Sequence, residues 1–209
     1  LKFQNTGLTT LTVSTADATI AVNTEVVSSS GNLVLASGGF NLTFGGTLTV
    51  SGTTGGNGID IGAGRTLTAA GSSVTMASGT AFLATSGGTT GILKLNATTP
   101  PLTFNASGAV TIQNLTVSNA VVLALTGTSP SMTVNGAFLH DGGKLNFGAF
   151  NLTIAATGTY RKTGTTSAYE ATSGYLIIST ATFNQGANAF DIPNLRFDNT
   201  AATTQASLA

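Results

Sequence analysis

The chain of 209 residues has no cysteine. That absence excludes disulfides, thiolate metal sites and cysteine nucleophiles together. It leaves the compartment open, because many exported bacterial proteins also lack cysteine. Charge is nearly as scarce. Seven basic and seven acidic residues make up 7% of the chain and cancel, where an ordinary soluble domain carries about 25%. No basic patch arises to neutralise phosphates, so nucleic acid is not an expected partner. One histidine without cysteine cannot build a zinc site. Long apolar runs are also missing. The longest, "AVVLAL" at 120–125, falls far short of the roughly 20 residues that cross a bilayer, so no membrane insertion is expected. No signal peptide is visible, and the first residue is Leu1. The expectation is a processed or excised piece of a longer chain, with its targeting signals outside this stretch.

What is present is a 41% hydrophobic fraction, enough for a core. Disordered chains combine low hydrophobicity with high charge, and this one has neither. Thr, Ser, Asn and 27 Gly stand where charges usually do. Thr favours strands, and Gly and Asn favour the turns between them.

Helical periodicity is hard to find, and alternation is easy. "TTLTV" (9–13), "NLTF" (41–44), "TLTV" (47–50), "TLTA" (66–69), "ILKLN" (92–96), "PLTFN" (101–105), "NLTV" (114–117), "SMTVN" (131–135), "KLNF" (144–147), "NLTI" (151–154) and "YLIIS" (175–179) are short strand candidates. In most, an apolar residue alternates with Thr, Lys or Asn, which turns one side inward and the other to water. Gly-rich stretches between them read as turns, among them "GGNGIDIGAG" (55–64).

The strands recur in phrases. An Asn-Leu-x-apolar-x-Asn frame appears in "QNLTVSNA" (113–120) and "PNLRFDNT" (194–201), and "LKFQNT" (1–6) matches it without its leading Asn. A second phrase joins "GGFNLTF" (38–44) to "GAFNLTI" (148–154). "LKFQNTGLTT" (1–10) and "LRFDNTAATT" (195–204) share six positions. The expectation is therefore one tandem unit over 1–194 and the start of the next over 195–209. Repetition at two scales points to stacked coils. The expected fold is all-β: a right-handed parallel β-solenoid of irregular coils of roughly 20 residues. Leu, Val, Ile and Phe would form ladders inside, with Thr and Asn ladders outside. A string of β-sandwich repeats is the structural alternative.

"GAFNLTIAATGTYRKTG" (148–164), "SMTVNGAFLHDGGKLNFG" (131–148) and "IPNLRFDNT" (192–200) resemble repeats of very large exported surface proteins of Bacteroidota. More distantly, they are similar to the β-helical stalks of filamentous-haemagglutinin-type adhesins and autotransporters. The resemblance covers most of the chain. It implies an extracellular or cell-surface, filament-forming role and carries over no catalytic residue and no cofactor.

The residues themselves point the same way. Glycoside hydrolysis needs two convergent carboxylates, and Asp17, Glu25, Asp60, Asp141, Glu170, Asp191 and Asp198 are scattered. His140 and Asp141 invite a catalytic pairing, but neighbours on a strand end face opposite ways, and "DGG" (141–143) is turn chemistry. No calcium-loop run of acids appears. Repeated "TLT" raises an ice-binding face, against which the drifting coil length stands. Tyr160, Arg161 and Lys162, in "YRKTG" (160–164), are the only basic cluster beside an aromatic. They read as a possible partner contact, for example with surface glycan, or as a solvated loop closing a coil. Sequons begin at Asn41, Asn96, Asn105, Asn114 and Asn151. They read as strand-and-turn vocabulary, with glycan attachment as the alternative. The function expected is a structural, non-enzymatic stalk segment whose partners are neighbouring units or further copies stacked end to end. An ice-binding or polysaccharide-active β-helix is the alternative.

Overall fold

A computed structural model describes residues 1–5, 9–13, 16–28, 33–37, 40–52, 58–77, 81–83, 90–125, 131–155, 158–179, 182–184 and 191–198. Among the described residues every regular element is a β-strand. The first coil holds β1 (Lys2–Asn5), β2 (Thr9–Val13) and β3 (Ala18–Ile20); the second, β4 (Thr24–Ser28), β5 (Leu33–Ser37) and β6 (Leu42–Phe44). Next come β7 (Leu48–Gly52), β8 (Gly58–Ile61) and β9 (Thr66–Ala69), then β10 (Ser73–Met76), β11 (Ala81–Leu83) and β12 (Ile92–Leu95). The fifth and sixth coils hold β13 (Leu102–Ala106), β14 (Val110–Ile112), β15 (Leu115–Val117), β16 (Val121–Leu125), β17 (Ser131–Val134) and β18 (Ala137–His140). The last two hold β19 (Lys144–Gly148), β20 (Asn151–Ile154), β21 (Thr159–Lys162), β22 (Ala168–Ala171), β23 (Leu176–Ile178) and β24 (Thr182–Asn184), followed by β25 (Leu195–Phe197).

Each strand pairs in parallel with the strand three places away, except that β25 joins β23. The result is three sheets, β1-β4-β7-β10-β13-β16-β19-β22, β2-β5-β8-β11-β14-β17-β20-β23-β25 and β3-β6-β9-β12-β15-β18-β21-β24. This is the expected parallel β-solenoid. Its coils are irregular in length: Thr103 pairs with Val122, 19 residues on, while Thr75 pairs with Asn105, 30 residues on.

Alternation in the sequence becomes columns in the lumen. In the third sheet Leu42, Leu67, Leu93, Leu115, Phe138 and Tyr160 lie in register, all nearly fully buried. In the second, Ile112, Val134, Ile154 and Ile178 do the same. Each such side chain contributes about 1.5–3 kcal/mol by leaving water. That is how strands of three to five residues hold without long hairpins.

The Asn-Leu-Thr-apolar phrase is legible residue by residue. Leu is inward, Thr is outward and the next residue is inward. The Asn is a corner bracket between coils. Asn114 Nδ2 donates to the Gly91 carbonyl (2.8 Å), and its Oδ1 accepts from Ala137 N–H (2.8 Å). Asn41 donates from its backbone to Asp17 Oδ1 (2.7 Å) and accepts from Thr66 N–H (2.8 Å). The Asn41 backbone N–H, and then its Nδ2 donating to Asp17 Oδ2 (3.2 Å), hold the Asp17 carboxyl below its ordinary value. The phrase does not choose a face. Asn41 and Asn114 precede third-sheet strands, whereas Asn151 opens β20 in the second sheet; β1 and β25 also lie in different sheets. Other corners need glycine because backbones touch. A Cβ on Gly71 would strike the Gly46 carbonyl, and Gly143 (φ 71°) sits against the Asn119–Ala120 peptide.

Candidate functional site

Two regions carry the polar chemistry of the described residues: the outer sheet faces and the lumen of the last coils. On the third sheet the outward column begins Thr19, Thr43, Thr68 and then meets Lys94, Thr116, Leu139 and Arg161. On the second, Thr111, Thr133 and Thr153 give way to Ile177 and Arg196. Threonine rows therefore exist but are broken by charged and aliphatic residues. The apolar "AVVLAL" run supplies the strand β16.

The lumen changes character where the column Phe44, Ala69, Leu95, Val117 reaches His140 and then Lys162. Both are buried, at 0% and 2% exposure. Lys162 Nζ meets Asp191 Oδ1 at 2.6 Å, and its ammonium lies 6.0 Å from the Tyr169 ring centre. Tyr160 and Tyr169 share a hydroxyl hydrogen bond of 2.9 Å, and burial pushes both phenols up in pKa. Tyr160 stacks on Phe183 (4.7 Å, 11°), while the His140 ring stands edge-on to Tyr169 (4.6 Å).

His140 Nε2 lies 3.0 Å from the Gly143 carbonyl. A carbonyl only accepts, so Nε2 carries the hydrogen. Nδ1 is buried with no hydrogen-bond partner. Burial first, and nearby Lys162, lower the His140 pKa to about 4, against the pull of the Gly143 carbonyl and Asp191. Protonation would place a second cation beside Lys162 and an N–H with no acceptor. Chemically, this cluster holds and excludes protons inside a packed stack.

The basic–aromatic cluster is corrected by the fold. "YRK" lies on strand β21, not in a loop, with the pattern of alternate burial that a strand imposes. Tyr160 and Lys162 point into the lumen and cannot meet a partner at the surface; only Arg161 faces out. Alternation with Lys in an inward slot was the signal for a buried partner. His140 and Asp141 diverge as expected, His140 buried at the end of strand β18 and Asp141 exposed beyond it. The Gly-rich stretch at 55–64 is also corrected. Gly58–Ile61 is strand β8 with Asp60 buried, and residues 53–57 lie outside the described residues.

Of the acids, Glu25, Glu170, Asp191 and Asp198 each pair with a base. Asp17 binds Asn41, and Asp141 accepts from Thr163 Oγ1 at 3.2 Å. Among the described residues, no group of three or more His, Asp or Glu comes together to hold a metal ion, and no helix is long and apolar enough to cross a membrane. Comparison with known proteins finds no matching family model, no matching curated protein and no matching solved structure.

Proposed function

We propose that this chain is a structural segment of an extracellular fibre or adhesin stalk, acting through length and stiffness instead of turnover. The observation that carries the reading is the unbroken parallel pairing of every sheet along one axis, from β1 to β22, β2 to β25 and β3 to β24. A coil meets the next coil through the contact it makes internally, so a further unit or a further copy extends the same columns and covers strand edges that would otherwise stay open. Near-zero net charge removes long-range repulsion between units. The exported setting rests on the likeness of its phrases to bacterial surface repeats. Ice binding is the weaker reading, because Lys94, Leu139 and Arg161 interrupt the threonine column of the third sheet.

Light scattering and electron microscopy over a concentration series test this. Particles of one width whose length grows with concentration are expected, and a monomer that persists at high concentration would overturn the proposal.

A further inference from the structure

All fourteen charged side chains lie among the described residues. Four of the seven cations are matched by a carboxylate: Lys2 by Glu25, Lys144 by Glu170, Lys162 by Asp191 and Arg196 by Asp198. The three left without an acid are Arg65, Lys94 and Arg161, and all three belong to the third sheet or its entry corner. Lys94 is outward on β12 and Arg161 outward on β21, while Arg65 directly precedes β9. A groove of about 310 Å³ is lined by Thr90, Ile92, Asn114, Thr116, Ala137 and Leu139, and Lys94 and Arg161 flank it as the register partners of Thr116 and Leu139.

The framing follows from register. Ile92 N–H donates to the Arg65 carbonyl (2.8 Å), and Gly64 N–H donates to Thr90 Oγ1 (2.8 Å), which fixes Arg65 at one end. Its Nε is buried with no hydrogen-bond partner. Lys94 is two residues along the strand from Ile92. Arg161 is the register partner of Leu139 and closes the other end. With coils spaced about 4.8 Å, the four steps from β9 to β21 span about 19 Å along the axis.

We infer that this groove binds a linear carboxylated polysaccharide lying along the solenoid axis. Lys94 and Arg161 stand in one column along the axis, with Thr116 and Leu139 between them, as the charges of such a polymer lie along its length. Between them lie hydroxyl and amide groups (Thr90, Thr116, Asn114) for sugar hydroxyls, and short apolar patches (Ile92, Ala137, Leu139) for the C–H faces of the rings. The groove lining has no aromatic side chain, so it lacks the anchors of a protein–protein hot spot. The inference rests on the fibre reading only in taking the segment to be extracellular, where such polymers are met.

Titration calorimetry with polygalacturonate tests it, using dextran and fully methyl-esterified polygalacturonate as uncharged controls. Polygalacturonate is expected to bind and the controls not. Binding should fade as added salt shortens the Debye length below about 10 Å. The double variant K94Q/R161Q should bind about tenfold more weakly, at roughly threefold per exposed cation. K2Q/K144Q, with the same charge loss on the first sheet, should bind like the parent. No binding, equal binding of charged and uncharged polymers, or equal weakening by both double variants would overturn the inference. Scattering on the same samples separates the two proposals. End-to-end growth without polymer binding removes only this one, and polymer binding by a strict monomer removes only the fibre.

Discussion

The same two columns of the third sheet are built differently in the middle coils and in the last ones. Around β9, β12 and β15 they read Leu67, Leu93, Leu115 and Ala69, Leu95, Val117; around β18 and β21 they read Phe138, Tyr160 and His140, Lys162. The backbone pairing is the same in both regions, so the strand ladder does not require an aliphatic filling. What it requires is that an inward group be apolar or find at least one polar partner. Lys162 has Asp191, the two tyrosines have each other, and His140 has the Gly143 carbonyl. In these columns the middle coils are filled by apolar packing, with asparagine brackets at their corners, and the last coils add polar contacts inside the lumen, each with its own failure point.

The largest effect is expected where the lumen columns are wholly apolar. Leu93→Ala removes a fully buried side chain between Leu67 and Leu115 and should cost about 3–4 kcal/mol. Hydrogen exchange should show the loss in the middle coils first, and unchanged protection there would contradict the column. Acid between pH 6.5 and 4 comes next and should act on the last coils, where His140 lies. Folded His140 takes its proton only below about pH 4, against 6.5 for the ordinary side chain. Between those values the unfolded chain binds more protons, so stability falls as pH drops from 6.5 toward 4 and then levels off. The loss is up to about 3 kcal/mol, since a tenfold change in proton affinity corresponds to about 1.4 kcal/mol. His140→Leu should flatten that dependence in tyrosine near-ultraviolet dichroism, and an unchanged profile would assign the acid sensitivity elsewhere. Smaller still, Asp191→Ala removes the carboxylate that pairs with the buried Lys162 ammonium. Because Asp191 keeps 37% of its side chain exposed, a cost of about 2 kcal/mol is expected, less than for a fully enclosed pair. Adding Lys162→Met should restore most of it in a thermal melt, and failure to restore would mean that the pair is not the cause.

Much of the fold could be read because one short phrase encodes one strand and its corner. In Asn114-Leu115-Thr116-Val117 every position has a fixed direction, and local sequence suffices. Which of the three faces a phrase joins depends on the length of every corner before it, and no local pattern carries that. Strand β8 was hidden because Gly58 and Asp60 are turn-forming types, here buried within a strand. Tyr160 and Lys162 looked like surface chemistry because their partners, Tyr169 and Asp191, stand 9 and 29 residues away. The three unmatched cations could not be grouped from sequence either. They come to one side of the solenoid only once β9, β12 and β21 occupy one sheet.

The hydrogen bonds between coils run along the same axis on which a tether would be pulled. Tension therefore opens them one ladder at a time at an end instead of shearing many together. A coil of 25 residues, such as that from Leu42 to Leu67, occupies about 4.8 Å of axis when stacked and about 80 Å when drawn out. Under load, the segment would yield in small steps and lengthen many-fold before its covalent chain bears the full strain.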